Sequence, residues 1–122
     1  MNNTIFDVIN GLCTALLSLN LPVHKDFKPE SELGKCIVLT YMPRKKTNVN
    51  SINDILVLLY LPKISGRADS AAIQTYCGSI SSALLNYNAT NGVIFFNELQ
   101  EPVTDNMEDF SVTTYKFFTI NS

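Results

Sequence analysis

Apolar residues recur at helical spacing in two stretches of the chain. In the first, residues 4–19, the pattern predicts an amphipathic helix. Thr4 and Asp7 provide an S/T-x-x-D/E helix start, and Pro22 cannot continue a helix, so it ends this segment. The second helix is predicted over residues 67–87, where Ser65-Gly66 is a plausible entry and the asparagine-rich NYNATNG is a stop signal. Its apolar stripe consists of Ile73, Tyr76, Cys77, Ile80, Ala83, Leu84 and Tyr87.

Two seven-residue apolar runs, 36–42 and 55–61, predict strands. They are rich in β-branched and aromatic residues, and each is followed by a proline, Pro43 or Pro62. Neither run alternates cleanly, so both faces of these strands are expected to be covered. Two further strands are predicted over residues 92–99 and 110–120.

The predicted order is α-β-β-α-β-β in one domain, residues 1–122. This order favours the α+β class, with a mostly antiparallel four-stranded sheet and both helices packed on one face. A chain of 122 residues with 46% hydrophobic residues can build such a core without disulfides or metals. We attribute Gly78, inside the second helix, to a close approach of that helix to the sheet.

The apolar strand residues outnumber those that two helices can cover. In the last strand, Tyr115 and Phe117 fall on the face opposite Phe110, Val112, Thr114, Phe118 and Ile120. We place Tyr115 and Phe117 on the uncovered face, with Leu58 and Tyr60 as the other candidate contact residues. A monomer rarely exposes a large apolar patch, so the pattern predicts self-association through the sheet.

Three adjacent cations, Arg44, Lys45 and Lys46, follow Pro43 in a polar stretch between the first two strands. We expect this stretch to be an exposed loop tip. Its three cationic side chains could bind nucleic-acid phosphates or an acidic patch on a neighbouring subunit, or they could be solvated without a partner. The overall net charge of −2 gives no general attraction to nucleic acid.

No catalytic or cofactor motif is present. His24 is the only histidine, and it lies among polar residues where a solvated side chain is expected. Cys13, Cys36 and Cys77 lack metal-ligand spacing and lie in apolar patterns, which indicates buried thiols in a reducing compartment. The five glycines are isolated, so neither a phosphate loop nor a dinucleotide motif exists. We therefore expect no enzyme activity, no cofactor and no metal.

The N-terminal stretch has no cationic segment before its apolar residues, and the apolar runs are short. A soluble, unprocessed protein without a membrane partner is expected. One alternative to a self-assembling structural protein is a small ligand-binding or regulatory α+β domain that forms a dimer through its sheet. Another is an enzyme that uses the carboxylates grouped in residues 98–109.

The order of elements resembles the tail-terminator proteins of long-tailed bacteriophages, also called tail-completion or minor capsid proteins. The resemblance covers nearly the whole chain. It consists of an N-terminal helix, a proline-bearing connection, a strand running into a helix, and a terminal strand pair. The corresponding sequences are TIFDVINGLCTALLSL, LPVHKDFKPESELGKCIVLTYM, INDILVLLYLPKISGRADSAAIQTYCGSISSALL and GVIFFNELQEP…EDFSVTTYKFFTI.

The resemblance implies a structural virion protein, made in the bacterial host cytoplasm and located in the tail or neck. Six copies would form a ring that ends the tail tube and joins it to the head. Its partners would then be further copies of itself, the tail tube protein and a neck or head-completion protein, with passing contact to genomic DNA. The sheet would line the ring and the helices would lie outside.

Overall fold

The structure is a computed structural model, and it describes residues 4–47, 50–91, 94–95 and 103–121. Within these residues two helices and six strands occur. In chain order they are α1 (Ile5–Leu17), β1 (Val23–Lys25), β2 (Cys36–Lys46), β3 (Ser51–Pro62), α2 (Ser70–Asn91), β4 (Ile94–Phe95), β5 (Val103–Asn106) and β6 (Phe110–Asn121).

The strands form one mixed sheet. Five lie side by side in the order β1-β2-β3-β6-β4, and β5 also pairs with β6, at the other end from β4. β1 runs parallel to β2, whereas every other pair is antiparallel. β3 is central, because residues 51–60 pair with β2 on one side and its whole length pairs with β6 on the other.

The core lies on one face of this sheet. In β3, Ile55, Val57 and Leu59 are fully buried, while the residues between them are partly exposed. Side chains alternate between the two faces of a strand, so these three share a face. The register aligns Ile55 with Phe117 and Val57 with Tyr115, and both aromatic side chains are only 1% exposed.

Both helices contribute to that same core. Val8, Leu12 and Leu16 of α1 recur every four residues and are fully buried, as are Ile80 and Leu84 of α2. The start of α1 is a capping box, in which the Asp7 N–H donates to Thr4 Oγ1 (3.2 Å) and the Thr4 N–H donates to Asp7 Oδ2 (3.1 Å).

Asp69 caps the start of α2, because its Oδ1 accepts a hydrogen bond from the Ala72 N–H at 3.1 Å. The predicted entry Ser65-Gly66 instead forms a two-residue turn, with φ of 51° and 75°, between Ile64 and Arg67. Positive φ at both positions is typical of a type I′ hairpin turn. The second helix therefore begins at Ser70 rather than at residue 67.

The α+β class is confirmed, but the predicted set of four strands differs from the six observed. β1 has three residues and β5 has four, so neither is long enough to show a period of two in the sequence. Of the predicted strand 92–99, only Ile94–Phe95 lies within the described residues.

The prediction that β2 ends at Pro43 was wrong. β2 continues to Lys46, with Lys45 paired to Ile52 and a bulge between Pro43 and Lys45. β1 pairs only with residues 37–39, so among the described strands this part of β2 has a neighbour on one side alone. A proline is tolerated at such an edge and beside a bulge, because no ladder bond needs its missing N–H.

The glycines of the two helices have different surroundings, and the proposed role of Gly78 was wrong. A Cβ at Gly78 would meet nothing within 4 Å, whereas a Cβ at Gly11 would lie 2.6 Å from Tyr87 Oη. The close approach is therefore between α1 and α2, at Gly11.

Gly78→Ala is expected to raise the free energy of unfolding by up to about 1 kcal/mol, because alanine is the better helix former. Gly11→Ala is expected to lower it by about 1–3 kcal/mol, since the Tyr87 ring must move. Urea unfolding followed by circular dichroism measures both. Stabilisation by both substitutions would mean that the contact between Gly11 and Tyr87 does not constrain the helix pair.

Candidate interaction surfaces

The face of the sheet turned away from the core, here called the outer face, is formed by alternate residues of β2, β3 and β6. Each row of the register crosses all three strands, as in Val38–Leu58–Thr114. Both helices pack on the opposite face. The apolar residues of the outer face are Cys36, Val38, Met42, Ile52, Leu56, Leu58, Tyr60, Pro62, Phe110, Val112, Phe118 and Ile120.

The outer face is only partly shielded from solvent. Met42 is 58% exposed and Ile120 is 41% exposed, and both lie toward the end of the sheet that carries the Lys46–Ser51 pair. Leu56, Leu58 and Phe118 are each partly exposed. An apolar stretch of side chains therefore remains accessible over the centre and this end of the sheet, bordered by the exposed Lys116 and by the Arg44–Asp54 ion pair on the same face.

The opposite end of the outer face is covered by the connection between β1 and β2. Lys28 Nζ lies 4.7 Å from the ring centre of Phe110 and 5.9 Å from that of Tyr60. These two rings meet edge to face at 6.0 Å. Burial raises the pKa of Tyr60, which is consistent with this cover.

His24 holds the connection against the sheet and is not the solvated loop side chain that was expected. It lies on β1, and its Nε2 is 3.0 Å from Glu32 Oε2. That hydrogen bond is the main reason why the pKa of Glu32 is lowered. Cys36 nearby is fully buried, and burial raises the pKa of its thiol to about 11, so the thiol is neutral at physiological pH.

The Arg44 side chain packs against the accessible end of the outer face. Its Nε lies 3.2 Å from Asp54 Oδ2, and its second guanidinium nitrogen contacts Asp54 Oδ1. The guanidinium carbon is 5.0 Å from the centre of the Phe118 ring. Arg44 is thus exposed, as expected, but it lies in β2 rather than in a loop tip, and its charge is paired with Asp54.

Lys45 and Lys46 border a concavity, here called the basic cavity, between the first turn of α1 and the end of the β2–β3 hairpin. Its volume is about 490 Å³. Ile5, Tyr41 and Pro43 provide an apolar wall. Both lysines are exposed, and neither has an ion-pair partner among the described residues.

Residues 107–109 connect β5 to β6, and together with the last two residues of β5 they form the segment 105–109, here called the acidic turn. The Met107 N–H donates to the Phe110 carbonyl (2.8 Å), which closes the turn over Glu108 and Asp109. Asp105, Glu108 and Asp109 are exposed, and none has an ion-pair partner in the described part of the chain. Glu98 and Glu101, the rest of this acidic group in the sequence, lie outside the described residues.

The predicted contact residues are divided between the two faces. Leu58 lies on the accessible part of the outer face, and Tyr60 lies at its covered end. Placing Tyr115 and Phe117 on the uncovered face was wrong, because both belong to the core beneath the helices. The exposed side of β6 is the one that carries Phe118 and Ile120.

Within the described residues, no three His, Cys, Asp or Glu side chains come together in a way that could hold a metal ion. No described helix has the length and apolar character to cross a membrane. The chain matches no protein-family model, and a comparison with curated proteins gave no significant match.

Proposed function

We propose that this chain is a structural subunit that works by assembling with copies of itself. The observation that carries the proposal is the accessible apolar stretch of the outer face, which no described helix covers. Apolar side chains grouped on one accessible face of a soluble protein indicate a contact surface. Covering this one by a second copy removes it from water without any further component.

Within this proposal the assembly is a ring of six copies in a bacteriophage tail or neck, where it ends the tail tube and joins it to the head. The support for this role is the order of helices and strands along the chain. The protein is then not an enzyme, and it needs no cofactor. Its partners are its own copies, the tail tube protein and a neck or head-completion protein, and DNA passes through the ring.

The alternative, a dimeric ligand-binding or regulatory domain, uses the same outer face in a different symmetry. Two outer faces packed against each other would form a closed pair, because such a contact uses the same patch on both copies. The mass in solution separates the two proposals. A ring of six has six times the subunit mass of 13.6 kDa, and a dimer has twice that mass.

Leu58→Lys is the direct test. Leu58 is only partly buried and lies in the accessible stretch, so lysine there should be solvated in the monomer but should oppose assembly. We expect the wild-type protein to sediment as an oligomer and Leu58→Lys to sediment mainly as a monomer, with an unchanged circular dichroism spectrum.

Leu85→Lys is the matched control, because Leu85 is a 56% exposed leucine on α2, away from the outer face. It should assemble like the wild type. A monomeric wild-type protein at high micromolar concentration would refute self-assembly. Full assembly of Leu58→Lys would show that the outer face is not the contact.

A further inference from the structure

The basic cavity and the acidic turn lie at opposite ends of the same sheet. The register pairs Lys46 with Ser51 and Ser51 with Asn121 at one end. At the other end Pro62 pairs with Phe110, the residue that follows the acidic turn. With about 3.3 Å per strand residue, the two features are separated by roughly 35 Å along the strands.

The two features also lie toward opposite edges of the sheet. β2 lies next to β3 toward one edge, and β5 lies next to β6 toward the other. They therefore occupy diagonal corners, and one copy cannot bring them together. Contact between them requires two copies.

The corners are complementary in charge and in chemical character. Lys45 and Lys46 face solvent beside an apolar wall, and Glu108 and Asp109 face solvent beside Met107, which is 53% exposed. Each corner thus combines an accessible apolar group with charges of one sign that have no ion-pair partners among the described residues. Lys63, whose N–H donates to the Asp109 carbonyl, is adjacent to the turn and offsets only part of its negative charge.

We propose that the acidic turn of one copy of this chain binds in the basic cavity of the next copy, with Glu108 and Asp109 facing Lys45 and Lys46. This inference rests on the proposed self-assembly and deepens it, because it names a contact and gives it a direction. The contact joins two different patches, so it leaves one free cavity and one free turn on every pair. Such contacts propagate until they close into a ring or continue as a filament.

The direction distinguishes this contact from outer-face packing alone. Two copies joined only through their outer faces, with the same patch of each copy in the contact, form a closed dimer. A series of copies joined from turn to cavity has no such limit, so this contact is the one that builds more than two copies into one assembly.

Charge reversal at each corner provides the test. Lys45→Glu with Lys46→Glu makes both corners acidic, and Glu108→Lys with Asp109→Lys makes both corners basic. Each double variant alone should assemble at least about tenfold more weakly than the wild type at low ionic strength, since like charges then meet. Glu30→Lys, which reverses an exposed charge in the connection, should assemble normally.

Mixing the two double variants is the decisive measurement. Every turn-to-cavity contact between unlike variants pairs opposite charges, so the equimolar mixture should recover the assemblies larger than a dimer that each variant alone forms only weakly. Mass photometry, supported by circular dichroism of each variant, follows the recovery.

If both double variants assemble as well as the wild type, the corner contact is refuted while self-assembly stands. The corner contact is also refuted if each variant is weakened and the mixture stays weak although both are folded. A wild-type protein that remains monomeric refutes the proposed function itself.

Discussion

Replacement of Phe117 by alanine is expected to lower the free energy of unfolding by about 3–5 kcal/mol. The Phe117 ring is 1% exposed and packs in the core opposite Ile55. Removing it takes away buried apolar surface and leaves a cavity that the surrounding sheet and helices fill only in part. Equilibrium unfolding in urea measures the loss, when both proteins are fitted with the same dependence of the free energy of unfolding on urea concentration.

Phe118→Ala is the matched control, since it makes the same change one residue later on the outer face. Phe118 is partly exposed and contacts the Arg44 guanidinium at the surface. Its loss should lower stability by about 1 kcal/mol or less but should weaken assembly. Equal stability losses for the two variants would contradict the assignment of the faces of β6.

The sequence was sufficient for the class of fold and for the two helices, because helical periodicity extends over many residues and is read locally. In α2 the predicted stripe contains the two fully buried residues, Ile80 and Leu84. The start of α2 was predicted wrongly, because Ser65-Gly66 has the composition of a helix entry but forms a hairpin turn.

The faces of β6 could not be assigned from the pattern alone. Phe110, Val112, Phe118 and Ile120 form the more apolar set, which favours them for the core. The structure buries the other set, in which Ser111, Thr113 and Thr119 accompany Tyr115 and Phe117. Which set meets the helices depends on the register with β3, and that register is a property of distant parts of the chain.

The charged and apolar residues of the candidate surfaces could be identified from the sequence, but the positions of these surfaces relative to one another could not. Lys45–Lys46 and Glu108–Asp109 are far apart in the chain, and only the strand pairing places them at diagonal corners. The ion pair between Arg44 and Asp54 could not be predicted either, because it depends on the register of β2 with β3 and on the bulge at Arg44.

Tyr115 supplies the second large effect, because its side chain joins β6 to α2 through a buried polar bond. Tyr115 is 1% exposed, and its hydroxyl donates to the Cys77 carbonyl at 3.0 Å. Tyr115→Ala is expected to lower the free energy of unfolding by about 3–5 kcal/mol, as for other large aromatic residues removed from a core. Tyr115→Phe keeps the ring, so the loss should be about 0.5–1.5 kcal/mol, the value of one hydrogen bond.

The pH dependence of the free energy of unfolding distinguishes the contribution of the Tyr115 hydroxyl from that of its ring. Burial, together with the hydrogen bond to Cys77, raises the pKa of Tyr115 above its ordinary value of about 10. The folded protein therefore holds the neutral phenol while the unfolded chain ionises first. The contribution of the hydroxyl is fully present below about pH 10 and is lost as the pH rises toward the folded pKa.

We expect the stability difference between the wild type and Tyr115→Phe to be constant from pH 7 to 9 and to shrink above about pH 10. Cys36, Tyr60 and Tyr87 also have raised pKa values, but they titrate in both proteins and cancel in the difference. Urea unfolding of the two proteins at pH 8 and at pH 10.5 measures it. A difference that stays constant across this range would show that the Tyr115 hydroxyl is not protected in the folded state.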